Sequence, residues 1–245
     1  TQTYLEWQPV PQNISCGFEA NTLNTNVGKY CLTSTTEYIG CNQSGCIGIN
    51  LDWLVVGMFL VSTIFQSVAA FSQYCCPLFG YNYKETIETN RNPLRYIEYS
   101  FTHSIMMVAI ALLVGIMDMN LLISIGVLNA ACQYCNMAIE YIDNKIIQWF
   151  LHLMGYLEFA WAYAIIAQAF FHSKYSSPGS NPPTFVYSIV IVLLVLNSLL
   201  FLIQFFDICT KINPQSKEKM YIILSFSTKI FVGWMIFGNV LLMNN

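Results

Sequence analysis

The chain has 245 residues, 56% of them hydrophobic and only 9% charged, with a mean hydropathy of +0.51. Soluble domains carry about 25% charged residues, so this composition excludes a soluble globular domain and predicts an integral membrane protein. A net charge of -3, with no basic cluster and no zinc-finger spacing, gives no ground for a nucleic-acid partner.

The chain opens TQTYLEWQPV, with neither a basic n-region nor an apolar run, so no signal peptide is read there. Residues 1–50 are rich in Thr, Asn, Gly and Ser and hold no spanning run. Four of the nine cysteines lie here, at Cys16, Cys31, Cys41 and Cys46. An even count in a polar, loop-like segment predicts two disulfides in an oxidising compartment, with three connectivities open. The Tyr, Thr and Ile content of residues 29–39 predicts a short hairpin strand.

Six spans follow by the rule of about 20 apolar residues. They are predicted near Asp52–Tyr74, Leu94–Met117, Leu121–Ile139, Ile146–Phe171, Phe185–Phe206 and Met220–Leu242. Residues 117–120, Met-Asp-Met-Asn, are too short for anything but a tight antiparallel turn between the second and third. The loops after the first, third and fifth spans hold Lys84, Arg91, Arg95, Lys145, Lys211, Lys217 and Lys219, while the opposite side holds Lys29 and Lys174. This asymmetry predicts that the first set is cytoplasmic. Residues 1–50 and the C-terminus then lie on the outer side, in agreement with the disulfide reading. The expected architecture is an all-α membrane bundle over residues 51–245, preceded by a small Cys-rich, β-containing outer segment.

Few ionisable residues fall inside the spans. Lys229 is the deepest cation, near the middle of the last span. A cation at the centre of a membrane helix costs about 2.5–3.5 kcal/mol on insertion scales, so it needs a partner or a chemical task. A lysine amine can lose its proton and condense with an aldehyde, which an arginine cannot do. The structural alternative is a snorkelling or ion-paired lysine.

Glu98, one turn into the second span, is the expected partner. Helical side chains tilt toward the helix N-terminus, so the Lys229 amine points back toward the Glu98 side. Thr102, four residues after Glu98, and Ser225, four before Lys229, offer hydroxyls to the pair. The alternative is an ion pair between Glu98 and Arg95 with no chemistry.

Trp161, Tyr163, Phe201, Phe205, Phe206, Phe226, Phe231 and Trp234 gather in the neighbouring spans. Such residues usually serve packing, but beside a reactive lysine they would wall an apolar slot for a conjugated aldehyde. Glu158, near the middle of the fourth span, is a candidate for a proton path or a protonated structural acid. His103 lies five residues from Glu98, about 140° round the helix. It reads as a proton acceptor or, with more weight, a core histidine. Cys132 and Cys135 form C-x-x-C inside an apolar helix, with no second pair and no nearby His, which predicts packing residues and no metal site. No Ser/His/Asp set or phosphate loop is visible, so no enzyme is expected.

The run Arg95-Tyr-Ile-Glu98-Tyr99-Ser-Phe-Thr102 resembles the third helix of microbial rhodopsins, where Arg-x-x-carboxylate supplies the counterion. The run from Tyr221 through Ser225 to Lys229, then Trp234 and Phe237-Gly238, resembles their retinal-binding seventh helix. Arg-x-x-Glu-Tyr, with Ser and not Asp four residues before the lysine, resembles heliorhodopsins more narrowly. That family has its C-terminus outside and a long structured outer loop after its first helix, as charge and cysteines indicate here.

The resemblance implies all-trans-retinal on Lys229 as a protonated Schiff base with Glu98 as its carboxylate counterion. Ser225, Thr102, Tyr99, Trp161, Phe201, Phe205 and Trp234 would line the site, and Glu98, Glu158 and His103 would mark any proton path. It implies photoreception and a homodimer, in a multi-pass protein of the plasma membrane. Some viral members resemble proton conductors, so light-driven or light-gated proton transport is a second expectation. Ala109 stands eleven residues after Glu98, where outward pumps resemble one another in an acidic donor, which argues against an ordinary pump. The family has seven helices against six predicted here, so residues 1–50 would follow a first helix that is lost or lies upstream. The rival reading is a non-photoactive transporter or adaptor with a structural Lys229–Glu98 pair.

Overall fold

A computed structural model describes residues 51–74, 82–116, 118–176 and 184–238, together with three strand segments before them. The strands are β1 (Leu5–Pro9), β2 (Asn26–Val27) and β3 (Tyr30–Ser34), with β3 antiparallel to both others. Cys16, Cys41 and Cys46 lie outside the described residues, and Cys31 is placed only by its strand.

Among the described residues, six helices are long and apolar enough to cross a membrane, and the protein is a multi-pass integral membrane protein. They are α1 (Leu51–Tyr74), α3 (Pro93–Leu113), α4 (Met119–Tyr141), α5 (Lys145–Ser176), α6 (Thr184–Thr210) and α7 (Pro214–Ile236). A short helix that sequence reading missed, α2 (Tyr83–Glu88), links α1 to α3.

Local chemistry sets the starts of three of these helices. Asn92 precedes Pro93 and its side chain accepts from the Arg95 amide. Asp118 accepts from the amides of Asn120 and Leu121 at 2.8 and 3.1 Å. Asn213 accepts from the Gln215 amide, with Pro214 at the first helical position. Each is an N-cap that satisfies amides the helix leaves open, and proline there gives up a donor that has no partner anyway.

The cap at Asn213 corrects the predicted start of the last span. Hydropathy reading begins it at Met220, because Lys217, Glu218 and Lys219 look like loop. The helix begins at Pro214, and Lys217 and Glu218 are buried within its first turns.

Neighbouring helices run α1, α3, α4, α5, α6, α7, and α7 returns to α1. Helix α3 is the centre: 72% of its spanning window is buried, against 11% for α1. Met106, Met107 and Ile110 of α3 pack with Ile125 of α4, Ile166 of α5 and Leu193 of α6 in one apolar core. An all-round apolar surface such as that of α6 suits lipid on one side and this core on the other. Charge collects at one end, where α3 and α7 begin and α4 and α6 end.

Candidate functional site

Lys229 and Glu98 meet in the middle of the bundle. Lys229 Nζ lies 2.5 Å from Glu98 Oε1, and both side chains are almost wholly buried. Two residues of α1 complete the arrangement. Ser62 accepts from Lys229 Nζ at 3.0 Å and donates to Glu98 Oε1 at 2.7 Å. Gln66 donates from Nε2 to Glu98 Oε2 at 2.7 Å. The carboxylate thus accepts three side-chain hydrogen bonds, two of them from neutral donors. A buried charge pair is tolerable when its remaining lone pairs are satisfied in this way. Sequence reading missed Ser62 and Gln66, since polar residues one turn apart on α1 carry no signal until that face is known to meet α3.

The hydroxyls expected to bind the pair do not. Thr102 is fully buried but donates to the Glu98 carbonyl of its own helix at 3.0 Å. Ser225 lies beside Tyr99. Hydroxyl-to-carbonyl bonding one turn back is the local option open to any helical Thr. Tyr99 packs against the pair: its ring centroid is 5.5 Å from Lys229 Nζ, and its hydroxyl donates to the Tyr221 carbonyl at 3.0 Å.

Arg95 is not the partner of Glu98. It pairs with Glu140 at 2.5 Å and with Glu218, and its guanidinium lies between the rings of Tyr96 and Tyr221 at 4.6 and 4.3 Å. Lys217 joins the same cluster, 2.7 Å from Glu140 and 2.8 Å from Asp207. Tyr96 donates to Glu140 at 2.8 Å, and Asn92 donates to Glu218 at 3.0 Å. This network ties α3, α4, α6 and α7 together at the charged end of the bundle. Sequence reading placed Arg95 and Lys217 in loops and passed over Glu140 and Glu218, because charges near helix ends are usually solvated.

Tyr99 also borders a small cavity between α3, α4, α5, α6 and α7. His103 stacks on Tyr99, with centroids 4.8 Å apart and planes 14° apart, and forms part of the cavity wall with Phe159 and Phe201. Phe159 and Phe201 are themselves in contact at 5.1 Å. Asn129, Gln133, Asn136 and Asn197 line the same cavity.

The other aromatic expectations fare differently. Trp161 and Trp234 are 67% and 69% exposed and face away from the bundle, so neither can wall a slot inside it. Phe205 is 38% exposed and packs against Trp149 and His152, outside the cavity lining. Periodicity alone cannot distinguish the lipid side of an all-apolar helix from its core side. Glu158 is partly exposed on α5 and meets Cys135 of α4 at 3.8 Å, with no bond to the Glu98 cluster among the described residues. Cys132 and Cys135 are free, and no group of metal-ligating side chains forms among the described residues.

A membrane helix bundle with a buried lysine held against one carboxylate fits the class of rhodopsin-like bundles. The heliorhodopsin family model matches residues 17–241, and the chain belongs to the heliorhodopsin family. No curated protein matches it. Family membership makes it a retinal-binding membrane protein of the photoreceptor kind. The residues present fit that group: the amine is buried, its charge is balanced, and the flat ring of Tyr99 lies beside it.

Proposed function

We propose that this protein is a light-responsive receptor that carries all-trans-retinal on Lys229, with Glu98 as counterion. The observation that supports this most directly is the 2.5 Å Lys229–Glu98 contact, buried at the centre of the bundle and braced from α1. A retinal bound there supplies absorption of visible light and a change of shape on isomerisation.

The rest falls to the chain's own residues. Glu98 stabilises positive charge at Nζ, because opposite charges a few ångströms apart favour the charged form. As a protonated Schiff base, Nζ keeps one hydrogen for Glu98 Oε1 or Ser62 Oγ, and Ser62 still holds Glu98 Oε1 when Nζ moves away. Gln66 holds the far carboxylate oxygen and keeps Glu98 oriented when Nζ moves. Tyr99 connects the site to α7 through the Tyr221 carbonyl, and Tyr221 stacks on Arg95 in the charged network. Displacement at Lys229 is thereby passed to the end of the bundle where four helices are clamped together.

Photoreception is the leading reading, and light-driven or light-gated proton transport the second. In the reading from loop charge, the clamped end is cytoplasmic, where a signalling partner would act.

The test is colour. Purified protein with all-trans-retinal absorbs in the visible, and Lys229→Ala abolishes the band. A colourless wild-type protein removes the reading and leaves a structural ion pair. Illuminated patch-clamp recording separates the two functions: no steady photocurrent is expected, and one that disappears in Glu158→Gln would establish transport.

A further inference from the structure

A second small cavity borders both the Lys229–Glu98 pair and the charged cluster. Gln66 and Ala69 of α1, Arg95 and Glu98 of α3 and Glu218 of α7 line it. Its free volume is about 20 Å³, which suits one water and no larger ligand. Arg95, Glu98 and Glu218 are each more than nine-tenths buried.

The hydrogen bonds of these residues leave one donor and one acceptor open. Arg95 gives Nη1 to Glu218, and Nη2 to Glu140 and Tyr96. Its Nε–H has no partner among the described residues. Glu98 Oε1 accepts from Lys229 and Ser62, whereas Oε2 accepts from Gln66. A carboxylate oxygen can accept twice, so Oε2 has a lone pair to spare. Buried donors are nearly always paired, so the lone Nε–H calls for an acceptor. Charge narrows the choice. Lys229 answers Glu98 and Arg95 answers Glu218, so the wall is balanced and an ion would upset it. A water can do both tasks: it accepts from a guanidinium, which only donates, and donates to carboxylates, which only accept.

We propose that one water occupies this cavity and joins the two networks. It accepts from Arg95 Nε and donates to Glu98 Oε2 and to Glu218, three bonds in all, the usual number for a buried water. Glu98 is thereby linked to the charged cluster by a route separate from Tyr99. A proton arriving on Glu98 weakens what Oε2 accepts, so the water's bonds to Arg95 and Glu218 change with it. The water site stands on the apoprotein's own groups, and its effect on a chromophore rests on retinal at Lys229.

A melting cycle on retinal-free protein tests the bridge. Glu98→Gln and Glu218→Gln are measured singly and together, first in the native chain and then in Ala69→Val, whose two added methyl groups take the water's space. The melting shifts should be non-additive in the native chain and additive in Ala69→Val. Additive shifts in the native chain overturn the proposal. Non-additivity that Ala69→Val leaves intact overturns it as well, since the carboxylates would then be coupled through Arg95 directly. A second measurement holds whether or not the variants fold. Wild-type pigment is illuminated in ordinary and in heavy-oxygen water, and the two infrared difference spectra are compared. A hydrogen-bonded O–H stretch that moves with the isotope is expected, and its absence overturns the proposal. A protein that forms no pigment overturns the Lys229 reading and leaves the melting cycle to judge the water.

Discussion

The ring of Phe59 on α1 lies so close to Gly233 on α7 that a Cβ at position 233 would fall 2.6 Å from it. Gly233 is one turn beyond Lys229, so this contact lets α1 approach α7 beside the site. It is the means by which Ser62 and Gln66, one and two turns further along α1, come within reach of Glu98. Gly233→Ala should gain about 1 kcal/mol in helix propensity and lose a comparable amount to the displaced ring. In a Phe59→Ala background the loss disappears and Gly233→Ala should stabilise. Thermal melting of the four proteins of this cycle in detergent measures it, and strictly additive effects would show that the contact has no consequence.

The Lys229–Glu98 pair carries a stability signature independent of light. Lys229→Ala leaves a buried carboxylate without its cation, which costs about 3–5 kcal/mol. Adding Glu98→Gln removes the stranded charge, so the double variant should melt above the single one. A double variant less stable than Lys229→Ala would mean that Glu98 is held by other groups.

Spectra separate the carboxylate from the two neutral groups that hold it. With retinal bound, Glu98→Gln should move the absorption band strongly or discharge the protonated form. Ser62→Ala, which removes one donor to the same oxygen, should move it less, and Gln66→Leu less again, since Gln66 binds the oxygen farther from Nζ. A Glu98→Gln protein with the wild-type spectrum at every pH would rule out Glu98 as counterion.

The charged cluster at the start of α3 has a hub. Glu140 accepts from Arg95, Lys217, Tyr96 and the Asn92 amide. Glu140→Gln leaves two buried cations sharing fewer carboxylates and should cost about 3–5 kcal/mol. Lys217→Met removes a cation whose other partner, Asp207, is more exposed, so the loss should be smaller. Comparative melting tests the order, and the reverse order would show that Glu140 is not the hub.

Some of this was legible in the residues alone. Composition and apolar runs determine a membrane bundle, because about 20 apolar residues have few other stable homes. The spacing of Arg95, Glu98 and Thr102, and of Ser225 and Lys229, determines which residues share a helix face, because the period of 3.6 is intrinsic to the backbone. A lone lysine in a hydrocarbon run had to find a partner, and Glu98 was the carboxylate on the side to which its amine tilts.

What only the tertiary structure decides is which faces meet. Trp161 and Trp234 looked like cofactor walls and face outward, because an apolar side chain suits lipid as well as core and leaves no mark of the difference in the sequence. Ser62, Gln66, Glu140 and Lys217 acquire their roles from neighbours on other helices. Hydrogen bonds are short and directional, so no count along one chain could place six helices closely enough to assign them.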